Sequence, residues 1–276
     1  MDIGPFGTFH NLPLFSFQHS KDNSTIFNQF FQTLLKHPKP EEKLLLFYII
    51  LKFFPNTDLK SINFDLPNSN VIKNFNFPPN NNSHNFQKKK VDDIKHIIAT
   101  HIPHPINLLL DVGSGTSNIF RSLDAKQSFG IDIPDWSQIK HQPANDIKLI
   151  SPDNPSFPFD DSSSDLVICI YSLHHFTHLD KMLAEIVRCM KPNSHLLILD
   201  HDITTSKNSL IVDLVHIFYE FKRTHQFPNK DSYFSRYYNI HAWISIMKTY
   251  KLKLVIQGYL PSHLNYLFKF FAIFQK

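Results

Sequence analysis

Glycine is scarce in this sequence, at 6 of 276 residues, against an ordinary usage of about 7%. Three of the six, Gly113, Gly115 and Gly130, fall in one short region, so the chain keeps its glycines for geometry. Cysteine is scarcer still. Cys169 and Cys189 each sit inside an apolar pattern, which excludes a disulfide framework and reads as two buried thiols. Long apolar runs are missing too. The longest, Leu44 to Leu51, falls far short of the roughly 20 residues that span a bilayer, so no membrane partner is expected. Met1-Asp2-Ile3-Gly4-Pro5 has no basic stretch leading into an apolar one, so a secretory leader is not expected and the location reads as intracellular, cytoplasmic. Neither sign of charge dominates. A formal charge of +4 and a pI of 8.9 tolerate an anionic partner such as RNA without requiring one.

What is present is apolar and aromatic: 42% of residues are hydrophobic and 27 are Phe. A globular core is therefore within reach. Its organising stretch is Ile106 to Asn118. Ile106 to Leu110 is of strand length and apolar apart from Asn107, as expected for a strand buried on both faces of a parallel sheet. Asp111 and a Gly113-Ser114-Gly115 turn follow. The two glycines permit a tight reversal and let a ligand lie against bare backbone. Ser117-Asn118 then opens a helical pattern through Ile119, Phe120 and Leu123. Strand, glycine turn and helix make the entrance of a cofactor site in an open α/β sheet.

The acid selects among cofactors. A carboxylate two residues before the first glycine repels a pyrophosphate and suits a ligand carrying positive charge. Asn118 also stands where a dinucleotide turn has its third glycine, which argues against a nicotinamide-dependent oxidoreductase. S-adenosylmethionine, with its sulfonium and amino group, fits better. Further on, Ser128-Phe129-Gly130-Ile131-Asp132-Ile133 is a second apolar strand ending in an acid, about 20 residues after Asp111. Two carboxylate oxygens match a ribose diol.

On these residues the chain resembles class I S-adenosylmethionine-dependent methyltransferases of the type 11 kind. Asp153-Asn154-Pro155-Ser156-Phe157-Pro158-Phe159 is similar to the family's third motif, with Phe157 in place of a leucine. The resemblance implies an α/β, Rossmann-like fold. Its mostly parallel seven-stranded sheet ends in an antiparallel strand, carried by residues 89–276, and a helical extension with an Asn/Pro-rich linker occupies 1–88. It implies S-adenosyl-L-methionine as cofactor, held by Asp111, Gly113, Gly115, Asp132, Ile133, Asp153, Asn154 and Tyr171. Asp153 would accept from the adenine amino group.

The acceptor side is read from the later strands. Leu166 to Ile170 ends in Tyr171-Ser172-Leu173-His174-His175-Phe176, so Tyr171 and His174 should lie near the transferred methyl group. His174, His175 and His201, the last within Asp200-His201-Asp202 at the tip of the next strand, are the candidate catalytic bases. Neighbouring histidines should point apart and no third ligand is evident, so no metal site is expected. The helix carrying Asp213, His216, Tyr219 and Glu220 resembles methyltransferase-like proteins of large DNA viruses. That resemblance implies His216, Tyr219 and Arg236 as acceptor contacts, with 227–238 as a closing loop. The acceptor reads as RNA or a small molecule. The rival reading is a methyltransferase-fold binding module or partner subunit without chemistry.

The remaining periodicity predicts helices over 26–35 and 40–54 and a linker over 56–85. It predicts a helix from Val91 to His101, an amphipathic helix from Leu179 to Met190, a helix from Ala242 to Tyr250, and strands over 252–258 and 267–274. Lys88 to Lys90 reads as a solvated helix start.

Overall fold

The computed structural model describes residues 83–115, 119–134, 145–204, 208–209, 212–216, 218, 235–260 and 269–276. The expected helices at 26–35 and 40–54, most of the 56–85 linker and Tyr219 lie outside the described residues.

Seven strands form one sheet: β1 (Leu108–Val112), β2 (Gln127–Asp132), β3 (Ile147–Leu149), β4 (Ser164–Ile170), β5 (Met190–His201), β6 (Lys253–Leu260) and β7 (Lys269–Gln275). Their order is β3-β2-β1-β4-β5-β7-β6. The first five pair in parallel. β7 inserts between β5 and β6 and runs antiparallel to both, as the resemblance implied.

Alternation along the strands sends side chains to two apolar layers. Leu110, Val112, Val167, Leu196 and Ile198 join the layer built with α2 (Leu179–Cys189) and α3 (Ile240–Thr249). Leu109, Leu166, Ile168, Leu197 and Leu199 join the layer built with α1 (Ser83–His101). In α1 the apolar residues Ile94, Ile97 and Ile98 recur at helical spacing and are buried. The helix begins upstream of the expected start, at Ser83. Among the described residues no helix is long and apolar enough to cross a membrane.

Where the pattern suggested a helix after the glycine turn, the described residues form a 3-10 turn, Ile119–Ser122, and residues 116–118 lie outside them. Phe120 and Ile119 are buried on the α1 side and supply the apolar contact that a helix would have given.

Asn193 adopts a φ of 63°, the left-handed conformation that asparagine tolerates. The chain makes a detour there, since Ser164 pairs with Met190 and Leu166 with His195. Cys169 and Cys189 are buried thiols.

Candidate active site

β1 pairs with β2 on one side and β4 on the other, so the strand order reverses beside β1. The crevice outside the carboxyl ends of the strands at such a reversal is where open α/β sheets bind ligands.

Asp111 ends β1 and is 1% exposed. It shares the parity of Leu109, so it points to the face covered by α1. Lys90 acts on it electrostatically, without an ion pair within 4 Å. On α1, Lys90 lies one turn before Ile94 and two before Ile97, on the same stripe. Its ammonium sits 4.8 Å from the centre of the Tyr171 ring, and Lys269 sits 5.7 Å from the same ring. Burial pushes the Asp111 carboxyl up to about 7, against the opposing pull of Lys90. Burial likewise draws Lys90 down to about 8, against the opposing effect of Asp111. Asp111 Oδ2 is buried with no hydrogen-bond partner among the described residues. Such an atom costs about 1–3 kcal/mol when it is left unsatisfied.

The glycine turn wraps beside this acid. Gly113 and Gly115 have φ of 74° and 54°, and the Gly113 and Ser114 amides donate to the Ile131 carbonyl at 2.8 and 3.3 Å. Ser172 packs on Gly113 and donates its hydroxyl to the Val112 carbonyl at 2.6 Å. Asp132, at the tip of β2, accepts from the Gly115 amide at 2.6 Å and from the Ile133 amide at 2.8 Å. Each of its oxygens keeps a second lone pair for a diol. Burial raises its pKa, against those two hydrogen bonds.

Asp111, Gly113, Gly115, Asp132 and Ile133 are thus brought together. Asp153 and Asn154 are in solvent, and the Asp153 side chain is 88% exposed with its carboxylate 3.7 Å from His178. They follow Ile150, whose amide donates to the Asp132 carbonyl at 2.8 Å. Their loop is clamped onto α2. Glu185 accepts from the Phe157 amide, and Arg188 donates to the Phe157 and Phe159 carbonyls and to Asp161.

Tyr171 holds a left-handed φ of 55° at the tip of β4. That conformation costs a non-glycine residue roughly 1–2 kcal/mol. It turns the ring toward the lysines and toward His201, whose ring centre is 5.1 Å away. Burial raises the Tyr171 hydroxyl pKa far above its ordinary value, so it stays protonated.

Beyond Tyr171 lies a cluster of imidazoles. His174, 1% exposed, holds its Nδ1 2.7 Å from Asp200. Its ring stacks on His216 at 5.3 Å and lies 4.1 Å from His175 and 6.0 Å from His201. Tyr237 donates to Asp213 at 2.6 Å and places its oxygen 3.3 Å from His216 Nδ1. Burial, reinforced by neighbouring imidazoles, holds His201 and His216 well below their usual range. One expectation is corrected here. The rings of His174 and His175 do not point apart, and His216 supplies a third nitrogen, with one donor atom of each within 4.8 Å of the others. The geometric ground for excluding a metal does not hold.

Three further residues bear on the site in ways the sequence did not show. Lys90 was read as solvated, yet its place on the stripe of Ile94 and Ile97 is a readable signal. Tyr237 reaches the cluster beside Arg236, whose backbone amide donates to the His174 carbonyl at 2.6 Å. Asp200 braces the His174 ring and also accepts from the His201 backbone amide at 2.7 Å. Asp202, the other acid of that tip, is structural, accepting from the Ile240 amide and the Tyr259 hydroxyl.

Fold and turn together have the arrangement of the class I methyltransferase fold. Residues 110–198 match the family described as a methyltransferase domain, whose methyl donor is S-adenosylmethionine. A sterol 4-C-methyltransferase of Caenorhabditis elegans, strm-1, is 26% identical over 141 residues, 46% of this chain and 41% of that protein. A phthiotriol/phenolphthiotriol dimycocerosates methyltransferase of Mycobacterium leprae is 30% identical over 112 residues, 38% of this chain and 41% of that protein. The chain thus matches about two-fifths of the length of these relatives. A solved structure of a SAM-dependent methyltransferase from Leishmania major has the same fold. It aligns with a TM-score of 0.51 at 12% identity over 70% of this chain and 74% of that one.

Proposed function

We propose that the protein transfers the methyl group of S-adenosylmethionine to a small, largely apolar acceptor lodged between Tyr171 and the imidazole cluster. The observation that carries this reading is the pair of buried acids at one glycine turn. One, Asp132, is oriented by two backbone amides, and the other, Asp111, has an oxygen awaiting a donor. Asp111 suits the cationic amino group of the cofactor, Asp132 its ribose hydroxyls, and the Gly113–Gly115 backbone its close approach. Ile133 lines the sugar side. Asp153 and Asn154 stand at the rim to take the adenine edge. The cofactor supplies a methyl group on a positively charged sulfur, and the chain has to align an acceptor with it.

The acceptor wall supports the choice of substrate class. His174, His175, His201, His216, Tyr171 and Tyr237 form it, and burial keeps His201 and His216 uncharged. A neutral, aromatic wall suits a lipid-like molecule better than a phosphate backbone. Relatives named for a sterol and for phthiotriol dimycocerosates support the same class. With its Nδ1 proton on Asp200, His174 presents Nε2 as a proton acceptor whenever that nitrogen carries no ion. His175 and His201 stand beside it, and Arg236 and Tyr219 would contact the acceptor.

Calorimetric titration tests the cofactor assignment. The chain should bind S-adenosylmethionine and ignore NAD. Asp132→Ala should weaken S-adenosylmethionine about 30-fold or more, as expected for losing two hydrogen bonds to a charged group. Undiminished affinity in the variant, or a preference for NAD, would overturn the assignment. A transfer assay with labelled cofactor, offering sterols and lipid extract against capped RNA, decides the acceptor class, with labelled RNA as the contrary outcome.

A further inference from the structure

We propose that His174, His175 and His216 bind a divalent transition-metal ion of the zinc class, on the acceptor side of the crevice. The placement beside an acceptor rests on the methyl-transfer reading, whereas the binding of the ion does not.

The three histidines come from two elements distant in sequence. His174 and His175 lie on the short turn after β4, and His216 on the 212–216 helix. One donor nitrogen of each lies within 4.8 Å of the others. A tetrahedral ion with bonds of about 2.0–2.1 Å needs donors roughly 3.4 Å apart. Modest ring rotations therefore close the site. Among the described residues this is the one group of three or more such side chains with that spacing.

The surroundings of the rings point to a ligand as well. A metal-bound histidine almost always gives its other ring N–H to a carboxylate or a similar acceptor, which fixes the tautomer and aims the lone pair. His174 has this arrangement. Its Nδ1 is 2.7 Å from Asp200, and its Nε2, buried in the cluster, has no hydrogen-bond partner among the described residues. The His174 side chain is fully buried, so water does not readily satisfy that nitrogen. His216 repeats the pattern through a relay. Ser235 and Tyr237 both donate to Asp213, so the Tyr237 oxygen is left to accept from His216 Nδ1. That puts the His216 lone pair on Nε2. Two carboxylates, Asp200 and Asp213, thus hold two imidazoles in one tautomer.

The donor chemistry selects the ion. Three neutral imidazoles and no carboxylate in the inner set favour zinc, copper, nickel or iron(II) over magnesium or calcium, which take oxygen ligands. Three protein ligands leave one position open, as in catalytic rather than structural zinc sites. His201 and Tyr171 border the cluster on the crevice side. An acceptor oxygen or nitrogen could enter there.

The test uses the full chain, stripped with chelator and titrated with Zn2+ by calorimetry. Co2+ in its place gives a visible spectrum as a second readout. The expected result is one ion per chain, with a Kd of about 1 µM or tighter, and visible bands of four-coordinate intensity. His175→Gln and His216→Gln are half-buried changes of similar volume, and each should weaken Zn2+ about 100-fold while leaving S-adenosylmethionine affinity intact. Asp200→Asn should weaken it about 10–100-fold. No stoichiometric binding at 10-fold excess over that Kd, or binding that survives both histidine substitutions, would overturn the site. Asp132→Ala separates the two readings. It should lose S-adenosylmethionine and keep Zn2+, so failure of the metal site and failure of the cofactor assignment are read independently.

Discussion

At pH 8 the Asp111→Asn variant should melt above the parent chain while holding S-adenosylmethionine more weakly. The expectation follows from the sign of one displacement. An aspartate ordinarily titrates near 3.8, and burial pushes Asp111 up to about 7 in the folded chain. Between these two values the folded chain keeps a proton that the unfolded chain has lost. Stability therefore falls as pH rises through that window and is fully reduced above it. For an isolated group the reduction would approach about 4 kcal/mol. Lys90 is already counted in that position, and it loses its acidic neighbour in the variant, so a net gain of roughly 2 kcal/mol is the reasonable expectation. In a domain of this size that is about 4–8 °C. The difference should vanish below about pH 4. Affinity should move the other way. A cationic ligand needs Asp111 ionised, so the parent chain should bind S-adenosylmethionine more tightly at pH 8 than at pH 6, by up to about 10-fold. The variant should be weak at both. Lower melting of the variant at pH 8, or an unchanged pH profile of binding, would show that Asp111 is not the buried charge described.

Gly113→Ala is the second large effect, and it acts on the fold. The φ of 74° is strained for any residue with a Cβ, at a cost of roughly 1–2 kcal/mol. The new methyl group would overlap Ser172 Cβ and would lie 3.0 Å from Ser172 Oγ. Ser172 is buried and tied by its hydroxyl to Val112, so it has little freedom to withdraw. Overpacking of this kind costs about 1–3 kcal/mol. A total of roughly 2–5 kcal/mol removes much of a typical domain's stability, and urea denaturation should show it as a lower midpoint at unchanged slope. Ser172→Gly added to it should recover part of the loss. Gly115→Ala makes the contrast. Its φ is also positive, but no atom lies within 4 Å of the added methyl, so the fold should lose about 1 kcal/mol. Equal loss in the two variants would contradict the packing described.

The legible parts of this molecule were those set by local pattern. β1, β4 and α2 announce themselves through an apolar run, a second one, and apolar residues at helical spacing. The glycine turn is readable because so few glycines exist elsewhere. β3 escaped notice because Ile147–Leu149 is too short to show any period. After the glycine turn the described residues form a 3-10 turn where the pattern suggested a helix. The acceptor side was legible as residue types and not as an arrangement. His174 meets Asp200 through the parallel pairing of β4 with β5, and His216 arrives from a later helix. No spacing rule foretells that three such rings converge.

The electrostatic coupling of Lys90 to Asp111 gives the first turns of α1 a chemical meaning. A chain shortened to start at 89 retains the ammonium that offsets the buried acid. One starting at 92 does not, and its carboxyl would cling to a proton even in mildly alkaline buffer. Two polypeptides differing by three amino acids at their amino end would then recognise the same cation at different acidities, so where the helix is cut sets the pH at which the crevice becomes anionic.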